Sequence, residues 1–248
     1  MNILYTTSFN KHLYEATGKN LIQSFVHHKT AGDLLIAYED EIDAIIPKHR
    51  KFLFHNLDCD DYLQNWLINN RDIIPEYLGG NYSGTFEEKF NQRASQWFRK
   101  IASLKYACSL GYDKIIFLDS DVVVNKHIPE EKIEEVFEDN SIFYHLGLMR
   151  ESEGTGIESG IIGFSMSNNR NLILDKVFQK YEDGSFQDYR RWDDGFIFRM
   201  VVEENKDIKT RDIVTDKNAK GHVVQCGMLS EYLAHNKGVH WKKHGVRF

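Results

Sequence analysis

The sequence predicts an α/β fold: a single domain with a mixed, mainly parallel central sheet flanked by helices. Three observations carry this reading. Short apolar runs alternate with amphipathic stretches through the first 140 residues, the order that builds a parallel sheet with helices on its faces. One of those runs, Ile115-Ile116-Phe117-Leu118, is apolar without interruption, as suits a central strand covered on both sides. No Pro-, Gly- or Ser-rich stretch divides the 248 residues, and Pro47, Pro75 and Pro129 lie far apart. One continuous domain is therefore the simpler organisation.

Taken in order, residues 3–5 followed by Thr6, Thr7 and Ser8 read as a buried strand ending in small polar residues. Residues 12–28 read as a helix with Leu13, Leu21, Ile22 and Phe25 on one side. Residues 33–38 form a second buried strand, 52–54 a third, and 60–69 a helix. Residues 73–85 hold Gly79, Gly80 and Gly84 among Tyr77 and Tyr82 and read as a flexible loop. Phe90, Trp97, Ile101, Leu104 and Cys108 recur at spacings of three, four and seven, which predicts one long helix over 86–110, ended by Gly111. After the strand at 115–118 the pattern is mixed. Strands are expected near 142–147 and 157–166, helices near 170–181 and 194–204, and short strands near 208–214 and 222–225. No internal repeat or low-complexity segment is present.

Composition narrows the functional classes. An apolar content of 42% and a charged content of 27% suit a soluble globular protein. A net charge of −6 argues against a nucleic-acid partner. The charge is uneven, because the tail from His235 carries Lys237, Lys242, Lys243 and Arg247, with His240 and His244 between them. Such a patch suits a small anionic ligand better than a long polyanion. Three cysteines (Cys59, Cys108, Cys226) without metal spacing fit reduced thiols. The opening residues show no signal-peptide pattern, and no apolar run approaches a membrane span. A cytoplasmic location is expected, with peripheral membrane contact left open. The sequence does not indicate an oligomeric state.

The chemistry concentrates at Asp119-Ser120-Asp121, into which the apolar run 115–118 leads directly. Ligands of open α/β sheets bind at the carboxyl ends of strands. Two carboxylates one residue apart point to the same side of an extended chain. They form a hard-oxygen site suited to Mg²⁺ or Mn²⁺, and an ion held there can stabilise a departing diphosphate. The same spacing in Asp58-Cys59-Asp60 is an internal control. That copy follows a less continuous apolar run and precedes a helix, so it reads as a loop or helix cap. Context, not spacing, distinguishes the pair at 119 and 121, since a buried aspartate pair needs its charge compensated.

The stretch Arg99 to Val122, Arg-Lys-Ile-Ala-Ser-Leu-Lys-Tyr-Ala…Tyr-Asp-Lys-Ile-Ile-Phe-Leu-Asp-Ser-Asp-Val, resembles the core of GT-A fold glycosyltransferases. In these a basic helix precedes a strand ending in an Asp-x-Asp motif. The resemblance implies metal binding by Asp121 directly, with Asp119 holding the ribose or helping the metal. It implies donor contacts from Lys100 or Arg93, which lie two turns apart on one helix face. It places Thr6 and Ser8 against the base and ribose, although they equally suit a plain helix N-cap before Asn10. Glu158-Ser159-Gly160-Ile161-Ile162-Gly163-Phe164 is similar to the segment lining the sugar pocket, with Ser159 and Gly160 close to the ligand. Trp192-Asp193-Asp194-Gly195 resembles an acidic motif facing donor sugar or acceptor. Asp194, with Asp193 beside it, is the candidate general base, or a sugar-holding group in a retaining enzyme. A plain cap of the following helix is the alternative for both. His235-Asn236-Lys237-Gly238 resembles a C-terminal segment in which His235 is the third metal ligand and Lys237 pairs with the diphosphate. His240 and His244 compete for the ligand role.

The expected activity is transfer of a sugar from a nucleotide-diphosphate sugar, a UDP-sugar ahead of a GDP-sugar, to a hydroxyl on a glycan or other acceptor. Residues up to about 125 would form the nucleotide-binding half and the remainder the acceptor and sugar half. An aromatic content of 13%, with Trp97, Trp192 and Trp241, agrees with sugar stacking, although most aromatics should serve the core. Two rival readings use the same aspartates. In a haloacid-dehalogenase-like phosphatase Asp119 would be the nucleophile and Asp121 the acid–base. A non-catalytic nucleotide-sugar or metal-binding module would need no acceptor pocket.

Overall fold

The computed structural model describes residues 1–74, 82–217 and 223–235, with Met149 described by its backbone alone. The expected loop residues 75–81, Lys237 and the rest of the basic tail lie outside the described residues. Strand β1 (Ile3–Phe9) leads into a helical segment of three pieces: α1 (Lys11–Leu13), a π-helical turn (Tyr14–Gly18) and α2 (Lys19–His27). Then come β2 (Asp33–Tyr38), β3 (Phe52–Asn56), α3 (Asp61–Asn70), α4 (Phe86–Asn91), α5 (Ala94–Cys108), β4 (Lys114–Leu118) and β5 (Val122–Val124). The second half holds α6 (Glu130–Phe137), β6 (Ile142–His145), α7 (Gly147–Ser152), β7 (Glu158–Ser165), α8 (Leu172–Glu182), α9 (Asp194–Glu204), β8 (Thr210–Asp212) and β9 (Leu233–His235).

One seven-stranded sheet, in the order β3-β2-β1-β4-β7-β6-β8, runs through both halves of the chain. Its pairings make β7 the single reversed strand. The expected mixed, mainly parallel sheet is the one observed. Alternate residues of the central strands feed two cores. Ile115 and Phe117 of β4 face the α3, α5, α8 and α9 side, while Ile116 and Leu118 face the α2 and α6 side. The uninterrupted apolar run is thus explained by burial on both faces.

The long helix expected over 86–110 is two helices. Thr85 and Glu88 form a capping box that starts α4. The Gln92 side chain then donates back to the Ser83 carbonyl at 2.8 Å, and Arg93 leaves helical geometry (φ −104°, ψ 10°). Ala94, Phe98 and Ile101 face the core, whereas Phe90 and Trp97, which the spacing assigned to the same stripe, line a cleft. Gly111 does end the segment, at φ +77°, a conformation open to glycine at little cost. Residues 223–225, expected as part of a short strand near 222–225, lie in a 3₁₀ turn over Val223–Cys226. A two-stranded pairing of β5 with β9 lies apart from the main sheet. No helix among the described residues is long and apolar enough to cross a membrane.

Candidate active site

The polypeptide delivers Asp119 and Asp121 by ending β4 at Leu118 and turning tightly, the Val122 N–H donating to the Asp119 carbonyl at 3.0 Å. Two neighbours hold this turn. On one side the Asp119 N–H donates to the Gly160 carbonyl at 2.8 Å, which extends the antiparallel pairing of β4 with β7. On the other, Ser120 Oγ meets Thr17 Oγ1 at 3.1 Å. Thr17 sits in the π-helical turn and its hydroxyl also donates to the Leu13 carbonyl. With its proton so used, Thr17 accepts from Ser120.

Antiparallel pairing of β5 with β9 places His235 opposite Val122. The imidazole is fully buried, with Nε2 2.8 Å from Asp121 Oδ1 and 3.8 Å from Asp119 Oδ2. Nδ1 lies 3.8 Å from Glu158 Oε1. Potential ligand atoms of Asp119, Glu158 and His235 all fall within 4.8 Å of one another, a compact mixed oxygen and nitrogen set of the kind that holds a divalent cation. Burial alone would lower the His235 pKa, but the bond to Asp121 and the charges of Asp119, Asp121 and Glu158 outweigh it, and the pKa is raised. Gly160 makes the approach sterically feasible. A Cβ there would stand 2.4 Å from His235 Cε1 and 3.0 Å from Asp119 Oδ2.

Lys100 enters from α5 and joins the acidic elements. Its ammonium lies 3.0 Å from Asp119 Oδ1 and 2.8 Å from Asp194 Oδ2, and donates to the Ser159 carbonyl and hydroxyl. The side chain is 8% exposed. Burial opposes the positive charge, yet the two carboxylates raise the pKa above its ordinary value. Asp193 caps α9, accepting from the Phe196 N–H, and is gripped by Arg191 through two bonds of 2.7 and 2.9 Å. Burial raises the Asp193 pKa, with Arg191 pulling the other way. Both acidic residues of this motif are therefore engaged by cations. Glu158 is engaged likewise, by Arg150 at 3.1 Å.

These groups line one cleft of about 1240 Å³ at the carboxyl ends of β1 and β4. Ser8, Arg93, Lys100, Asp119, Asp121, Ser159, Asp193, Asp194 and His235, all singled out from the sequence, border it. Gly160 backs His235 and Asp119. Thr6 does not reach the cleft: it is wholly buried in the sheet, between Leu35 and Phe117. The control pair behaves as a cap. Asp60 accepts from the Leu63 N–H at 2.7 Å and Asp58 from the Asp40 N–H at 2.8 Å. Sequence reasoning did not identify Glu158 as a ligand. Its signal was a lone carboxylate opening a strand otherwise made of small and apolar residues.

No protein-family model matches the chain, and no curated protein matches it in sequence. Among solved structures, the chain is similar to mouse xyloside xylosyltransferase 1 in its apo form. The TM-score is 0.52 and the identity 13%, over 95% of this chain and 97% of that one. At that identity the likeness shows the fold: a mixed α/β architecture shared from end to end with a glycosyltransferase.

Proposed function

We propose that this protein is a metal-dependent glycosyltransferase. It would move a sugar from a nucleotide-diphosphate donor, a UDP-sugar first and a GDP-sugar as the alternative, to an acceptor hydroxyl on a glycan. The observation that carries the reading is the convergence of Asp119, Asp121, Glu158 and His235 beside a single large cleft. Similarity of fold to a xylosyltransferase supports it. Asp121, which a phosphatase would need as proton donor to its leaving group, is instead tied to His235, so the phosphatase alternative is not favoured.

Asp119, Glu158 and His235, with Asp121 against the imidazole, are the residues that would hold the ion. A histidine among carboxylates fits Mn²⁺ ahead of Mg²⁺, which prefers oxygen alone. When bound, the ion supplies positive charge to the diphosphate as it leaves. The chain's own groups do the rest. Lys100 fixes Asp119 and Asp194 relative to each other and to Ser159. Arg191 fixes Asp193, so Asp193 orients the start of α9 and is not the proton acceptor. Asp194 would hold a hydroxyl of the transferred sugar. Ser8 would meet the nucleoside, and Lys237, through the resemblance of its segment, the diphosphate. The division into a nucleotide half before about residue 125 and an acceptor half after it belongs to the same proposal.

The direct test is Asp121→Ala. The variant should keep its fold and lose metal-dependent donor binding. Unchanged donor binding and turnover would overturn the assignment.

A further inference from the structure

We infer that the outer part of the cleft is an anion-reading acceptor subsite built on Arg93 and Trp97, and that the acceptor is an acidic saccharide. The word acceptor rests on the transferase reading; the anion site does not. Arg93, Trp97 and Lys100 all border the cleft; Trp97 and Lys100, three apart, share one face of α5, and Arg93 sits at its N-cap. Lys100 is bound into the Asp119–Asp194 pair. Arg93 lies seven residues earlier, about 10 Å away along the axis. A diphosphate held at Asp119 and Asp121 would therefore sit near Lys100, and Arg93 faces whatever fills the space beyond it.

Charge sets Arg93 apart. Of the arginines bordering the cleft, Arg71, Arg99, Arg150 and Arg191 each have a carboxylate within 3.8 Å. Arg93 has none among the described residues. Its Nε donates to Gln96 Oε1 at 3.2 Å, and its guanidinium lies 4.8 Å from the Trp97 ring centre and 5.6 Å from that of Tyr82. A half-buried guanidinium without a counter-charge carries a desolvation cost that an anionic ligand relieves. Its planar fork of donors matches a carboxylate or phosphate.

The neighbouring surface points to a sugar rather than a bare anion. Phe86, 59% exposed, and Phe90 and Trp97 form an aromatic shelf along the cleft. Arg191 covers the Phe90 ring at 4.0 Å and Arg93 the Trp97 ring at 4.8 Å, so the open surface of the shelf is Phe86, which offers apolar contact to the C–H face of a saccharide. The Trp97 indole N–H, shielded from solvent, has no acceptor among the described residues. An acidic group on Arg93 and a ring on this shelf describe one ligand, a uronic acid or phosphorylated sugar unit.

The test uses ligand-observed saturation-transfer NMR on the whole protein and its Arg93→Gln and Arg93→Lys variants. The probes are methyl β-D-glucuronide, glucose 6-phosphate and neutral methyl β-D-glucoside, each with and without Mn²⁺ and UDP. At least one anionic probe should bind about tenfold tighter than the neutral one, the scale of one charge-assisted contact, and which of the two does so names the acidic group. Arg93→Gln should erase that preference and Arg93→Lys should keep part of it. Equal binding of the neutral glucoside overturns the inference. So does an Arg93→Gln variant that loses UDP and keeps its saccharide preference, which would assign Arg93 to the donor. Should Mn²⁺ and UDP fail to bind any of the proteins, the transferase reading falls, while an Arg93-dependent preference for the anionic probe still supports the subsite.

Discussion

His235 Nε2 lies 2.8 Å from Asp121 Oδ1, a contact made because β9 pairs with β5 immediately after the aspartate turn. The metal-free imidazole is held protonated beyond its ordinary range by this carboxylate and its acidic neighbours, against the opposing effect of burial. An incoming cation must displace that proton. Apparent Mn²⁺ affinity should therefore rise with pH, by about tenfold per unit below the folded-state pKa of His235. Without metal the sign reverses. The stability contributed by protonated His235 is fully present below its unfolded value of about 6.5 and is lost as pH rises through the raised folded value. Mn²⁺ titrations by electron paramagnetic resonance between pH 6 and 8 read the first effect. A pH-independent affinity contradicts the ligand role.

Lys100 is the counter-ion of two carboxylates. Lys100→Met leaves Asp119 and Asp194 without it, and the folded state should lose about 3 kcal/mol at neutral pH, as for a broken buried ion pair. Adding Asp194→Asn should recover part of the loss. Urea denaturation of the single and double variants measures both. A single variant as stable as the parent would show that the pair is better solvated than its geometry indicates.

Gly160 is a steric requirement of the ligand set, not a flexible joint. Gly160→Ala puts a methyl 2.4 Å from His235 Cε1, so His235 or β7 must move. The expected outcome is a loss of about 1–3 kcal/mol in stability from overpacking, with Mn²⁺ affinity falling by roughly 10–100-fold, as when a ligand's support is removed. Calorimetric titration with Mn²⁺ checks it; intact affinity would mean that Gly160 is dispensable to the site.

Thr17 positions the aspartate turn through Ser120. Thr17→Val keeps the shape and removes the acceptor, at about 1 kcal/mol, and Mn²⁺ affinity should weaken several-fold. Thr17→Ser should restore it, because the hydroxyl returns. A valine variant with unchanged affinity and lowered stability would leave Thr17 a merely structural role.

The legible parts of the molecule were those set by local pattern. The run 115–118 announced a central strand because both its faces are buried, and the aspartates drew attention because that strand ends in them. The capping role of Asp60 was readable because the following helix was. What stayed hidden depends on pairings between distant segments. Glu158 joins Asp119 and His235 only because β7 runs antiparallel beside β4, which brings residues 158–160 level with Asp119. Periodicity could not show the break at Gln92 and Arg93, since Phe90 before it and Trp97, Ile101 and Leu104 after it keep helical spacing across it. The three residues of β9 were invisible as a strand because so short a segment carries no alternation. For the same reason Thr6 was read as a cleft residue: its strand continues to Phe9, four residues further than the apolar run, and only Ser8 and Phe9 at its end border the cleft.

Metal-dependent binding of a nucleotide-diphosphate sugar is read by a thermal-shift screen of UDP-, GDP- and CDP-sugars with and without Mn²⁺. A donor at about 100 times its dissociation constant should add about 2.7 kcal/mol of stability. One nucleotide, UDP first, should give a shift that appears only with Mn²⁺ and disappears in Asp121→Ala. No shift with any donor, or one of equal size without metal, would contradict it.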